Sequence, residues 1–204
     1  MTLRRNAMDP LVAKIIYIVG YWLANFAIRA RHIAARQRER VRTNKNTRLD
    51  NSLFLTVGVG GFVVPLLYVF TPLLSFADYS SPLWIGVTGA VLLVVGDWVF
   101  WKAHKDLGRN WSPILEIREG HTLITTGIYA HIRHPMYSSL WLLVIAQAML
   151  LPNWVAGMSG LVPFAILYFQ RVAKEERMMK EEFGSEYEQY LKRTGRVLPK
   201  LGSN

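Results

Sequence analysis

The distribution of apolar residues limits what this chain can become. Residues 11 to 28 (LVAKIIYIVGYWLANFAI), 53 to 77 (LFLTVGVGGFVVPLLYVFTPLLSFA) and 83 to 101 (LWIGVTGAVLLVVGDWVFW) are long apolar runs. Each is long enough to cross a hydrocarbon layer of about 30 Å, which takes about 20 helical residues. Residues 137 to 151 and 154 to 170 supply a fourth and a fifth run, parted only by Leu151, Pro152 and Asn153, as in a tight helical hairpin. Half of the residues are hydrophobic and a fifth are charged, so the two kinds are segregated along the chain rather than mixed. The expectation is an all-α, polytopic membrane protein with about five transmembrane helices. Lys14 interrupts the start of the first run and no small-residue cleavage pattern follows Phe26. That run therefore reads as a retained span, not a signal peptide.

The net charge of +10 is concentrated between the first two spans, in Arg29, Arg31, Arg36, Arg38, Arg40, Arg42, Lys45 and Arg48. Basic loops stay on the cytoplasmic side. The segment 102 to 136 and the C-terminal tail are then cytoplasmic, and the turn Leu74 to Ser81 lies outside; Arg4 and Arg5 weigh the other way. A cationic segment beside an apolar span suits anionic lipid head groups, so membrane lipids are the expected contact and nucleic acid is not. The absence of cysteine excludes disulfides, thiolate metal sites and cysteine nucleophiles.

Neither internal repeats nor low-complexity tracts divide the chain. It reads as one membrane-embedded domain over 1–204, with three spans in 1–101 and the functional region in 102–204. Pro65, with Gly58, Gly60 and Gly61, predicts a kinked second helix whose lost hydrogen bond a neighbour must replace. Gly86 and Ala90 give the third helix a small face for close packing. Arg36 to Asn46 reads as a surface connection. Residues 102 to 136 are too polar for lipid and are punctuated by Gly108, Pro113, Gly120 and Gly127. The fifth helix should run into water and end near Gly184, followed by a short amphipathic helix, Glu186 to Lys192, with Tyr187, Tyr190 and Leu191 on one side. The pocket is expected where these two polar segments meet beside the hairpin.

Three constellations could carry chemistry. His104, His121, His131 and His134 invite a metal reading, but five histidines supply few ligands and Pro135 opposes helix at His134, so no metal is expected. In GHTLITTGIYAHIRHPMY the glycines permit tight turns, and Pro135 forces Arg133 and His134 off the helical path just before an apolar span. Helix punctuation alone would explain Pro135. It leaves Tyr129 and Tyr137 beside His121, Arg133 and His134 unexplained, and aromatic faces with hydrogen-bond donors suit a small cationic or heteroaromatic ligand. Arg171 and Glu175 lie one turn apart where the fifth span emerges. They are either a surface pair contributing about 0.2–0.5 kcal/mol or part of a site at membrane depth. Glu176, Glu181, Glu182, Glu186 and Glu188 read as a solvated face.

Together, GHTLITTGIYAHIRHPMY, the hairpin at Pro152, RVAKEE and FGSEYEQYLKRTGRVLP resemble the isoprenylcysteine carboxyl methyltransferase family over about residues 100 to 201, in the family's order and spacing. The resemblance is to its small prokaryotic type. It implies an S-adenosylmethionine cofactor, with His121, Thr122, Leu123, Ile124, Tyr129, His134, Pro135, Met136, Tyr137 and Glu175 contacting it. Arg171 is implied near the methyl acceptor, and Arg171, Glu175 and Tyr137 form the expected catalytic group. A family glutamine upstream of the histidine motif has no clear counterpart, since Ile114 or Glu116 falls there. The expected reaction is carboxyl O-methylation of a lipophilic or lipidated, isoprenylcysteine-like substrate at the cytoplasmic face of the cell membrane. The alternatives are a lipid N- or O-methyltransferase, a sterol-reductase-like NADPH enzyme, or a noncatalytic membrane adaptor.

Overall fold

The structure is a computed structural model; it describes residues 7–36, 41–45, 47–110, 112, 114, 116–118 and 120–200. Arg4, Arg5, Arg38, Arg40, Asn46 and Pro113, which the sequence reading used, lie outside the described residues. Five helices carry the fold. Helix α1 joins Pro10–Tyr17 to Asn25–Arg36 through a π turn, Ile18–Ala24; α2 joins Arg48–Gly58 to Val64–Phe70 through a π turn, Val59–Val63. The others are α3 (Leu83–Leu107), α4 (Pro135–Leu150) and α5 (Trp154–Arg193). Among the described residues a two-stranded antiparallel sheet departs from the all-helical plan: β1 (Val41–Asn44) pairs with β2 (Glu116–Arg118), Thr43 opposite Ile117.

Four of the helices are long and apolar enough to cross a membrane. The fourth expected span is the exception: α4 has 16 residues, so at 1.5 Å per residue it covers about 24 Å. It falls short of the hydrocarbon thickness of about 30 Å. Helix α3 runs six residues beyond the expected end at 101, so the same helix carries His104 and Asp106. Helix α2 stops at Phe70 rather than continuing to 77; Thr71 is extended and a 3-10 turn covers Ser75–Ala77. Leu55, Phe70, Val94 and Phe169 leave most of their surface uncovered, as side chains facing lipid do.

The helices interlock through small residues and satisfied polar groups. Pro65 cannot donate to the carbonyl of Gly61, and the Tyr17 hydroxyl donates there instead at 2.8 Å. The fully buried Gln147 donates to the Gly60 and Ala156 carbonyls at 3.0 and 2.8 Å. Ser159 donates to the Gly60 carbonyl at 2.6 Å. In lipid no water could replace these donors. On α3 the close-packed face toward α4 is Gly89 and Gly96, where an added Cβ would meet Met149 and Leu143; the expected Gly86 meets Met8 instead.

The two ends of the bundle are tied by different contacts. At one end Asn153 caps α5 by accepting from the Val155 and Ala156 N–H groups, and donates to the Leu74 carbonyl and Asp78. At the other end the β1–β2 pair ties the connection between α1 and α2 to the segment following α3, and Lys174 meets Asp50 at 3.2 Å. Gly184, with φ of 53°, breaks α5 where the sequence expects a stop, and the last turns carry Tyr187 and Tyr190 back into the interior.

Candidate active site

A cavity of about 230 Å³ opens where α3, α4, α5 and the polar segment after α3 converge. Local backbone chemistry builds its rim. Asp106, on the last turn of α3, accepts from the Ile128 N–H at 2.8 Å and from Lys102 at 2.6 Å. Burial would raise its carboxyl, but these two donors hold it below the ordinary value. The turn it clamps requires glycine: Gly127 has φ of 61°, and a Cβ there would sit 2.1 Å from Asp106 Oδ2. That turn buries Tyr129, whose carbonyl accepts from the Tyr190 hydroxyl at 2.7 Å. On the facing edge Asn110 fixes Thr122, donating to its Oγ1 at 3.1 Å.

His134 stands at the start of α4 and is buried between two carboxylates: Nδ1 lies 3.6 Å from Glu175 and Nε2 3.3 Å from Glu176. Burial would lower its proton affinity, and the paired carboxylates raise it instead. Burial would raise Glu175, but hydrogen bonding and charge from His134, with Arg171 behind it, hold the carboxyl below the ordinary range. The Tyr137 hydroxyl donates to Glu175 Oε2 at 2.8 Å. Arg171 is 4% exposed, stacks over the Phe54 ring at 4.5 Å and is electrostatically coupled to Tyr137 and Glu175. The Arg171–Glu175 pair is therefore no surface ion pair; it is packed into the cavity wall.

Glu176 departs from the solvated face the sequence suggests. Its carboxylate accepts from Arg196 at 2.6 and 3.0 Å and from Arg133 at 3.4 Å, besides facing His134. Burial alone would raise it, yet these donors bring it down to about 2. The backbone adds a second fastening. Arg133 and His134 donate to the carbonyls of Gly195 and Arg196, Gly195 donates to the His131 carbonyl, and Ser138 donates to the Val197 carbonyl at 2.6 Å. The tail thus straps the loop before α4 to the end of α5. Neither fastening has a sequence period: the partners of Glu176 lie 20 to 43 residues from it, and those of the backbone strap are some sixty apart.

Of the residues the resemblance implicated, His121, Thr122, Leu123, Ile124, Tyr129, His134, Met136, Tyr137, Arg171 and Glu175 line this one cavity; Pro135 is buried as the first residue of α4 and does not. Ile114 and Glu116 both reach it, Glu116 buried and accepting from the Ser112 hydroxyl at 2.8 Å. Arg29, Met178, Tyr187 and Tyr190 line it as well. The two tyrosines were legible as one side of a short helix, but Arg29 was hidden among the loop cations. His131 is exposed and away from the cavity, and among the described residues no three His, Asp or Glu side chains are gathered as metal ligands would be.

Residues 89–181 match the sequence profile of the isoprenylcysteine carboxyl methyltransferase (ICMT) family. A human protein-S-isoprenylcysteine O-methyltransferase is 32% identical over 118 residues, 57% of this chain and 42% of that protein. An Arabidopsis thaliana protein-S-isoprenylcysteine O-methyltransferase B is 25% identical over 139 residues, 67% of this chain and 71% of that one. This chain thus spans less than half of the human relative's length and most of the plant protein's. The solved structure of a eukaryotic intramembrane Ras methyltransferase, ICMT, superposes with a TM-score of 0.53, covering 92% of this chain and 72% of its own at 19% identity. At that identity it speaks to the fold.

Proposed function

We propose, from the match of residues 89–181 to the isoprenylcysteine carboxyl methyltransferase family, that this integral membrane protein is an S-adenosylmethionine-dependent methyltransferase of that family. Its acceptor is the carboxylate of a lipophilic, isoprenylcysteine-like molecule, and the reaction runs at the cytoplasmic face of the membrane. The observation that carries this reading is the convergence of Arg171, Glu175, Tyr137 and His134 on a cavity lined by aromatic rings at the short, polar end of α4. Water-soluble and oily reactants have to meet at such a boundary.

The donor set suits the cofactor. Glu175, ionised and partly exposed, matches a cationic group; His121 and Thr122 supply polar edges; Tyr129, Tyr137, Tyr187 and Tyr190 supply flat faces for a heteroaromatic ring. When bound, S-adenosylmethionine supplies a methyl group whose bond to sulfur breaks with both electrons left on sulfur, so a carboxylate acceptor balances the charge and no proton moves. A carboxylate with pKa about 4 is already ionised at neutral pH, so these residues need provide no general base. They orient and exclude water. Arg171, held over the Phe54 ring, offers N–H groups to the acceptor. Tyr137 fixes Glu175, and Glu175 with Glu176 fixes His134. A lipid N-methyltransferase reading is weaker, because an amine acceptor requires a base, and His134 and Tyr137 are both committed to carboxylates.

Purified protein incubated with methyl-labelled S-adenosylmethionine and a prenylcysteine analogue should form a methyl ester that releases labelled methanol in alkali. Label that survives alkali in a lipid amine would overturn the carboxylate assignment. Binding of NADPH in place of the methyl donor would overturn the class.

A further inference from the structure

Counting charges to orient the chain treats Arg29 as one of several interchangeable loop cations. The structure turns it inward. Arg29 lines the cavity from α1, its guanidinium carbon 5.4 Å from the centre of the Phe100 ring on α3. Its Nε is shut off from solvent and has no hydrogen-bond partner, and no carboxylate pairs with the group among the described residues. Neighbouring cations at this end are neutralised: Lys102 by Asp106, Lys174 by Asp50, and Arg133 by Glu176. Arg29 as a whole is only part-buried, but an Nε taken from water with neither a hydrogen-bond partner nor a counter-charge disfavours folding. An ionisable group kept at such a position marks a ligand site more often than a structural one.

Besides Arg133, which Glu176 neutralises, the cavity has two arginine walls. Arg171 lies on Phe54 of α2 with Glu175 beside it, and Arg29 lies on Phe100 of α3 with no acid. We infer that Arg29 anchors a ligand carboxylate in this cavity. The inference rests on the methyltransferase reading, because that reaction brings two carboxylates to the site: one on the amino-acid end of the methyl donor, the other on the acceptor. Either would cancel the charge of Arg29 and accept a charge-assisted hydrogen bond from it. Arg29 would then join α1, which lies outside the matched region 89–181, to the binding site.

The test removes the charge on each side in turn. Binding of S-adenosylhomocysteine and of its decarboxylated analogue is titrated against the wild type, Arg29→Gln and Arg29→Lys in detergent. N-acetyl-S-farnesylcysteine and its carboxamide are titrated in the same way. In the wild type at least one pair should favour its carboxylate member by about 10- to 100-fold. In Arg29→Gln that preference should fall to near one, with affinity for the carboxylate-free member unchanged, and Arg29→Lys should restore part of it. The pair that collapses identifies the carboxylate. Because the charge is unpaired without ligand, Arg29→Gln should unfold no earlier than the wild type when ligand-free. Preferences that persist in Arg29→Gln overturn the inference, as do equal losses for both members of a pair with a lowered unfolding temperature. Failure of the wild type to bind either S-adenosylhomocysteine or the prenylcysteine removes the underlying reading as well, so the two failures are distinct.

Discussion

Glu176→Gln tests whether the carboxylate that ties the site to the tail holds this end of the molecule together. The substitution keeps the shape and one acceptor oxygen but removes the charge that His134, Arg133 and Arg196 share. A carboxyl brought from 4.5 to about 2 has its ionised form favoured by roughly 3 kcal/mol, at 1.36 kcal/mol per tenfold change in proton affinity. The Glu176 side chain is 15% exposed but its Arg196 partner is 49% exposed, so water screens that arm and about 2 kcal/mol remains. For a chain of this length that corresponds to an unfolding temperature lower by about 4–8 °C at pH 7, measured by circular dichroism in detergent. The pH dependence supplies an independent check. Glu176 is depressed, so its contribution is complete above its ordinary 4.5 and is lost as pH falls toward 2. His134 is raised, so its contribution is complete below its ordinary 6.5 and is lost as pH rises through its elevated value. The Gln variant should therefore show a shallower acid limb, and its alkaline loss should be smaller and end at lower pH because His134 keeps only Glu175. Unfolding temperatures equal to wild type at pH 7, with parallel acid limbs, would refute the reasoning.

Arg171→Ala and Glu175→Ala should each lower methyl transfer by about 100-fold or more while leaving the helical content intact; rates like wild type would take both residues out of the site. Gly127→Ala should cost about 1–3 kcal/mol, because it forces a side chain into a left-handed turn and against Asp106; thermal unfolding reads this directly, and an unchanged midpoint would show that the turn can open without loss. Gln147→Leu should cost about 1–3 kcal/mol in mixed-micelle unfolding, since it strips donors from the Gly60 and Ala156 carbonyls in a layer that holds no water.

Hydropathy and spacing alone determine the five apolar helices, the hairpin at Pro152, the break at Gly184 and the end of the bundle at which the candidate site lies, because each follows from local rules of length, turn and charge. The motif from Gly120 to Tyr137 also marks itself, since polar and aromatic groups against an apolar run have no local use. Other features depend on contacts across the chain. Pro72 ends helix α2 locally by holding Thr71 extended, but that the Leu74 carbonyl and Asp78 beyond it bind Asn153 is decided across the chain. Glu176 looks like one of several surface acids until the loop before α4 and the tail bring His134, Arg133 and Arg196 around it. Arg29 counts as a topogenic charge until α1 packs its side chain against Phe100. Periodicity reports which face of a helix avoids water; only the packing of one helix on another decides which charges lose their solvent, and those are the groups left to bind a ligand.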